Sequence, residues 1–195
     1  WLRYNLKSAI SRAEWDELKT DTLPKLTGKL YAGIKFSTDG TSCALAVACR
    51  TKDNAIFVEA IGCHPTRDGS GWLLDFLSKA DLAAVAVDGA SGQQLLADAM
   101  KAAHLRSPVL PTVKQVITAN AAFEQALFAQ ALCHAGQPGL AQAASNCEKR
   151  AIGSNGGFGY RSLTEGGHIE LLDSVILAHW QCAEGKGKRR QRIRY

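Results

Sequence analysis

Several features that would narrow the function are missing from the sequence. Its 195 residues contain no apolar run of the ~18–20 residues that a membrane helix needs, so no membrane partner is expected. The opening stretch, WLRYNLKSAISRAEWDELK, has neither the apolar core nor the small-residue cleavage site of a signal peptide. Methionine occurs once, at Met100, and the chain begins with Trp1, so we expect a piece of a longer protein.

Cysteine occurs six times but never in the CxxC spacing of a zinc site. Several of the cysteines lie inside apolar runs, where a free thiol behaves as a small hydrophobic side chain. We therefore expect scattered reduced thiols, which are typical of a cytosolic protein, rather than a structural metal site.

Three common catalytic motifs are also missing. DGASGQQ (88–94) is one residue short of the GxSxG turn that carries a nucleophilic serine, and no GxxxxGK[ST] phosphate loop occurs. GSNGGFG (153–159) is followed by Tyr160-Arg161 and not by a helical pattern, which argues against a dinucleotide site. An α/β enzyme acting on a small molecule is therefore the least favoured function.

Positive charge is concentrated at the end of the chain. The formal net charge is +5, and without the basic residues of 185–195 the rest of the chain is close to neutral. A basic arm can contact phosphates, an acidic partner or only water. If the arm contacts phosphates, the candidate residues are Lys186, Lys188, Arg189, Arg190 and Arg192.

The pattern of apolar residues divides the chain into three parts. Residues 1–28 are predicted to be a helical linker segment in which Ser11 and Glu14 form a capping box, and 185–195 form the basic tail. Within 29–184, three short strands over 30–37, 43–50 and 55–62 are separated by turns, which predicts an antiparallel meander.

Helical periodicity follows the meander. Helices are predicted over 70–80, 91–104 (capped by Ser91), 114–132, 137–146 and 168–180, with a buried strand at 82–89. A short strand or extended segment is expected at 107–113, and a hairpin or loop at 151–163. This order predicts an α/β protein with a mixed central sheet and helices on both faces, a succession that matches the ribonuclease H-like fold.

Three acids are candidate site residues. Asp88 ends the buried strand, at the edge of the sheet where ligands bind in α/β proteins. Asp173 falls within the apolar stripe of the last helix, where an unpaired carboxylate is expensive unless it meets a metal, a base or a cleft. Asp39 lies in the turn after the first strand, where an ordinary turn residue is the alternative. Glu170 is expected to be a more exposed acid near the helix N-terminus.

Lys35 is the unusual residue of the first strand. Strand alternation places Ile34 and Phe36 on one face and Gly33, Lys35 and Ser37 on the other. A lysine in a central strand is expected in a cleft, where Asp88 and Asp173 would be its counter-charges; an open, solvated face is the alternative.

Four stretches resemble the C-terminal nuclease domain of phage large terminase subunits. They are YAGIKFSTDGTSCALAVACR, AAVAVDGASG, CHAGQPGLAQAASNCEKRAIGSNGGFGY and IELLDSVILAHW. The resemblance implies a ribonuclease H-like endonuclease that cuts concatemeric DNA during genome packaging and holds two Mg²⁺ or Mn²⁺ ions. Asp88 matches the acid of the fourth strand and Asp173 that of the final helix, whereas Lys35 stands where the first-strand acid is expected.

The resemblance also implies partners and a location. They are double-stranded DNA, an upstream ATPase domain of the same chain, and the portal and small terminase subunits, in the cytoplasm of the bacterial host. Since an ammonium opposes divalent cations, Lys35 leaves three possibilities open. Asp39 replaces the missing ligand, Lys35 replaces one of two ions, or the domain binds DNA or a partner and cuts poorly. A transposase or resolvase of the same fold is a further alternative.

Overall fold

The computed structural model describes residues 7–154 and 156–185. A five-stranded sheet in the order β4-β1-β2-β3-β5 forms its centre. The strands β1, β2 and β3 pair antiparallel, whereas β4 lies parallel to β1 and β5 parallel to β3. The strands are β1 (Leu30–Phe36), β2 (Ser42–Arg50), β3 (Ile56–Pro65), β4 (Leu82–Asp88) and β5 (Leu132–His134). The predicted mixed sheet is thus confirmed.

Helices cover both faces of the sheet, as predicted. They are α1 (Arg12–Asp16), α2 (Gly71–Lys79), α3 (Gln93–Ala102), α4 (Val113–Phe128), α5 (Pro138–Ala144) and α6 (Glu170–Glu184). One core cluster joins α2 and α3 to Ile34 and Phe36 on one face of β1, while α1, α4, α5 and α6 belong to the core on the other face. No helix within the described residues is both long and apolar enough to cross a bilayer.

Gly33 lets α6 lie directly on the sheet. A Cβ atom at this position would overlap the carbonyl oxygen of Ser174 and lie 2.5 Å from the backbone nitrogen of Ala178. A residue without a side chain is needed where a helix backbone approaches a strand this closely. This contact holds the first turns of α6 over the end of β1, where Lys35 follows two residues later.

Two local predictions are corrected. The third helix ends at Phe128 and not at 132, because Gln130 adopts a left-handed φ of 53° and the chain then enters β5. Helix α3 begins at Gln93 with Gly92 as its cap, since the Ser91 hydroxyl donates to the Ser37 carbonyl instead. The extended segment over 107–113 touches the sheet through one parallel bridge, between Ala86 and Val109.

The Gly-rich region forms a hairpin, one of its two predicted alternatives. Strand β6 (Cys147–Ala151) pairs antiparallel with β7 (Phe158–Ser162) in a separate two-stranded sheet. The hairpin therefore begins at Cys147, earlier in the chain than the predicted 151.

The described part of the N-terminal segment packs on the core of the domain. The capping box of Ser11 and Glu14 is confirmed. Trp15 is fully buried and stacks on His134, with ring centroids 4.3 Å apart, and the backbone of Thr20 donates to the His134 carbonyl at 2.9 Å. The segment thus follows the β5 edge of the sheet, while the domain boundary at 28 stays a prediction. The basic tail beyond 185 lies outside the described residues.

Candidate functional site

A cleft of about 220 Å³ opens beside the carboxyl end of β1 and the first turn of α6. Side chains of both charges line it, among them Lys35, Asp39, Arg150, Arg161, Glu170 and Asp173. Three of the four predicted catalytic residues thus face one cavity, and the fourth, Asp88, joins them through Lys35.

Lys35 and Asp88 form an ion pair across neighbouring strands. The parallel register of β1 and β4 places the two residues opposite each other, and Lys35 Nζ lies 2.5 Å from Asp88 Oδ2. Their side chains are 17% and 19% exposed, so solvent screens the pair only partly. Burial lowers the pKa of Lys35, but the carboxylates of Asp173 and Asp88 raise it by more, so the pKa of Lys35 is raised overall. Lys35 is therefore a permanent cation in the site.

Asp173 is the carboxyl group of the site whose ionised form is most strongly disfavoured. Burial raises its pKa, and although Lys35 lowers it, Asp88 and Glu170 raise it further, so that the result is about 6. No side-chain or backbone donor in the described part of the chain hydrogen-bonds to this carboxylate. A partly buried acid without a donor is the type of group that a bound cation or a proton satisfies.

Asp39 lies on the exposed rim of the same cleft. Its Oδ1 accepts from Ser37 Oγ at 2.6 Å, from Thr41 Oγ1 at 2.7 Å and from the Thr41 backbone at 3.0 Å. These donors lower the pKa of Asp39 to about 2. One oxygen is thus used to hold the turn, and the assignment of Asp39 as a metal ligand stays a prediction.

Glu170 is the acid that the sequence interpretation placed wrongly. It is 8% exposed and lines the cleft, contrary to the expected exposed position. His168 Nδ1 lies 3.2 Å from its Oε1, while Oε2 is buried with no hydrogen-bond partner in the described structure. Helix α6 begins at Glu170 itself, so its first residue faces the loop over 164–168 instead of solvent. Only the helix boundary could have indicated this.

Asp88 and Asp173 are the carboxylates that the site offers to a divalent ion. Among the described residues, no group of three or more His, Cys, Asp or Glu side chains is arranged to hold a metal. Asp88 and Asp173 still supply the hard oxygen ligands that Mg²⁺ prefers, and Mg²⁺ commonly binds one or two carboxylates and completes its shell with substrate phosphates and water. The Lys35 ammonium is paired with Asp88, so a divalent ion would have to compete with it for this carboxylate.

The fold and site define a ribonuclease H-like domain with a cleft of mixed charge at the end of the sheet. Solved structures with this fold confirm the predicted fold class, and they are terminase nucleases. The HK97 bacteriophage large terminase has a TM-score of 0.69 at 17% identity, covering 89% of this chain and 43% of that chain. This chain thus spans less than half of the HK97 protein.

Two further structures extend the similarity. The large terminase nuclease from thermophilic phage G20c has a TM-score of 0.59 at 17% identity, covering 90% of this chain and 99% of that one. It has also been solved with bound magnesium and with bound cobalt. A manganese-soaked human cytomegalovirus terminase nuclease domain has a TM-score of 0.51 at 12% identity, covering 91% and 95%. No protein-family model and no curated protein matches this chain.

Proposed function

We propose that this chain is the nuclease domain of a phage or prophage large terminase, a divalent-metal-dependent DNA endonuclease that cuts concatemeric DNA during genome packaging. The observation that carries the proposal is the gathering of Asp88 and Asp173, from distant parts of the chain, around one ammonium at the edge of a ribonuclease H-like sheet. The fold shared with terminase nucleases supports it.

Asp88 and Asp173 would hold a Mg²⁺ or Mn²⁺ ion, which when bound polarises a phosphodiester and activates water. Lys35 stays protonated between the two acids and places a fixed positive charge where negative charge develops on phosphate oxygens. Because Lys35 supplies that charge, we propose one bound ion, where the resemblance implied two.

The second candidate function is a weakly active or inactive module that binds DNA or a protein partner. The 2.5 Å ion pair between Lys35 and Asp88 favours it, because a divalent ion must compete with the ammonium for that carboxylate. The two functions differ in one measurable property, which is cleavage that depends on a divalent metal.

Plasmid cleavage by the 195-residue chain with Mn²⁺, Mg²⁺ or EDTA tests the proposal. We expect metal-dependent cutting that Asp88→Asn and Asp173→Asn each abolish, while the control Asp75→Asn, which removes an exposed acid of α2 paired with Lys79, cuts normally. Full activity in either site variant would refute the assignment. If the natural chain is silent and Lys35→Asp cuts, the second function is correct for the natural protein.

The wider setting of the domain is also part of the proposal. Its partners would be double-stranded DNA, an ATPase domain upstream in the same chain, and the portal and small terminase subunits. The place of action would be the bacterial host cytoplasm. The five predicted DNA-binding residues of the basic tail, Lys186 to Arg192, lie beyond the described residues, so their contact with DNA stays a proposal.

A further inference from the structure

The β6–β7 hairpin forms one wall of the cleft and carries three cations. They are Lys149 and Arg150 on β6 and Arg161 on β7. Two of the three, Arg150 and Arg161, line the same cavity as Lys35 and Asp173. The hairpin therefore brings positive charge to a cleft in which the carboxylates of Asp39, Glu170 and Asp173 outnumber the ammonium of Lys35.

Ion pairs already neutralise two of these cations. Lys149 Nζ lies 2.6 Å from Glu124 Oε1 and 4.2 Å from the centre of the Phe158 ring. Arg161 Nε lies 2.6 Å from Glu148 Oε1. Such contacts fix the position of a side chain and reduce its attraction for another anion.

Arg150 is the cation without such a contact. Within 7–154 and 156–185, no carboxylate lies within salt-bridge distance of its guanidinium, and the residue is exposed. The charge of Arg150 acts on the residues of the site, because it lowers the pKa of Asp173 and also lowers the pKa of Lys35. Both cations thus line one cleft, and each would attract a phosphate that enters it.

We propose that Arg150 binds a phosphate of a DNA strand that enters the cleft beside Asp88 and Asp173, and that it shares this phosphate with Lys35. The planar fork of a guanidinium matches a phosphate in two parallel hydrogen bonds, which an ammonium cannot make. The two side-chain cations would then neutralise the charge of the phosphate, as a second metal ion would otherwise do. The inference rests on the proposed function, since it takes the bound anion to be DNA.

Duplex DNA binding by the full 195-residue chain in EDTA, where no cutting occurs, tests the contact directly. We expect Arg150→Gln to weaken binding about 5- to 30-fold and to reduce the slope of log K against log salt by about one. Arg150→Lys should keep the slope and lose part of the affinity. The matched control is Lys149→Gln, which removes the same charge from the same strand but outside the cleft, and it should bind within about two-fold of the natural chain.

The outcomes separate this inference from the nuclease proposal. If Arg150→Gln binds DNA like Lys149→Gln, with an unchanged salt slope, the phosphate contact is refuted whether or not the chain cuts. If the contact holds but no metal gives cleavage, the nuclease proposal fails alone. Where the chain cuts, the single-turnover rate at saturating DNA should fall at least about tenfold in Arg150→Gln, and an unchanged rate would refute the shared role with Lys35.

Discussion

Replacing Asp173 by Asn should stabilise the metal-free protein while it abolishes the proposed metal-dependent activity. The ordinary pKa of an aspartate, 3.8, is raised to about 6 at this position, chiefly by burial. The folded protein therefore binds the proton more tightly than the unfolded chain. The resulting stability is fully present below about pH 3.8 and is lost as the pH rises through about 6.

The size of the effect follows from the pKa difference. About two pKa units correspond to about 3 kcal/mol between the protonated and the ionised carboxyl. Asn has the shape of the protonated acid and cannot ionise, so Asp173→Asn should increase the free energy of unfolding by about 3 kcal/mol at about pH 8. At about pH 5 the gain should be only about 1.5 kcal/mol, because the folded natural protein is then largely protonated at this site.

Urea denaturation of both proteins in EDTA at the two pH values measures this difference. Groups that titrate equally in both proteins cancel in the comparison. Asp39→Asn is the control, because the pKa of Asp39 is lowered to about 2, so its stabilising contribution is complete above about pH 3.8 and disappears only as the pH falls through about 2. Its effect should be destabilising and equal at both pH values. A gain for Asp173→Asn that does not change with pH would refute the reasoning.

Three further predictions concern charge, packing and the tail. Lys35→Met leaves the negative charges of Asp88 and Asp173 without a nearby cation, so it should lower the free energy of unfolding by about 2–4 kcal/mol at about pH 8. In urea titrations, millimolar Mn²⁺ should restore part of this stability. Gly33→Ala should cost more than about 3 kcal/mol because its Cβ meets the α6 backbone, whereas Gly71→Ala, with no atom within 4 Å, should be neutral or stabilising by thermal unfolding. Deleting 186–195 should weaken DNA binding and flatten its salt dependence by about one unit for each phosphate that the tail neutralises; an unchanged slope would mean that the tail faces another partner.

Local pattern was sufficient to predict the main elements of the fold. Alternation in β1 correctly separated Ile34 and Phe36 from Gly33 and Lys35, because one face of that strand is filled by the α2 and α3 side of the core. Helical periodicity placed Asp173 at the buried side of α6, which its raised pKa reflects. Strand β5 was missed because it has only three residues and follows a left-handed turn at Gln130, with no alternation to detect.

The arrangement of the site depended on contacts that no local pattern contains. The pairing of Lys35 with Asp88 follows from the parallel register of β1 and β4, which are separated by two strands and a helix along the chain. Glu170 was misplaced because a shift of the helix start by one or two residues decides whether its first turn meets solvent or the cleft. Arg150 was not a candidate, because only the folded structure shows that Lys149 pairs with Glu124 of α4 and Arg161 with Glu148 across the hairpin, whereas Arg150 has no such partner among the described residues.

The ammonium of Lys35 stabilises the ionised acids of the site when no metal ion is bound. The partly buried carboxylates of Asp88 and Asp173 repel each other, and an acid in the first strand would add to this repulsion unless a cation were bound. A covalently attached ammonium removes that dependence, since Asp88 pairs with it at 2.5 Å and the charge of Lys35 lowers the pKa of Asp173. The same charge weakens divalent binding, because an ion must share the carboxylates with it. Such a site would bind its ion mainly when DNA phosphates supply further oxygen ligands. DNA binding should therefore raise the affinity for the metal, and metal binding should raise the affinity for DNA by the same factor.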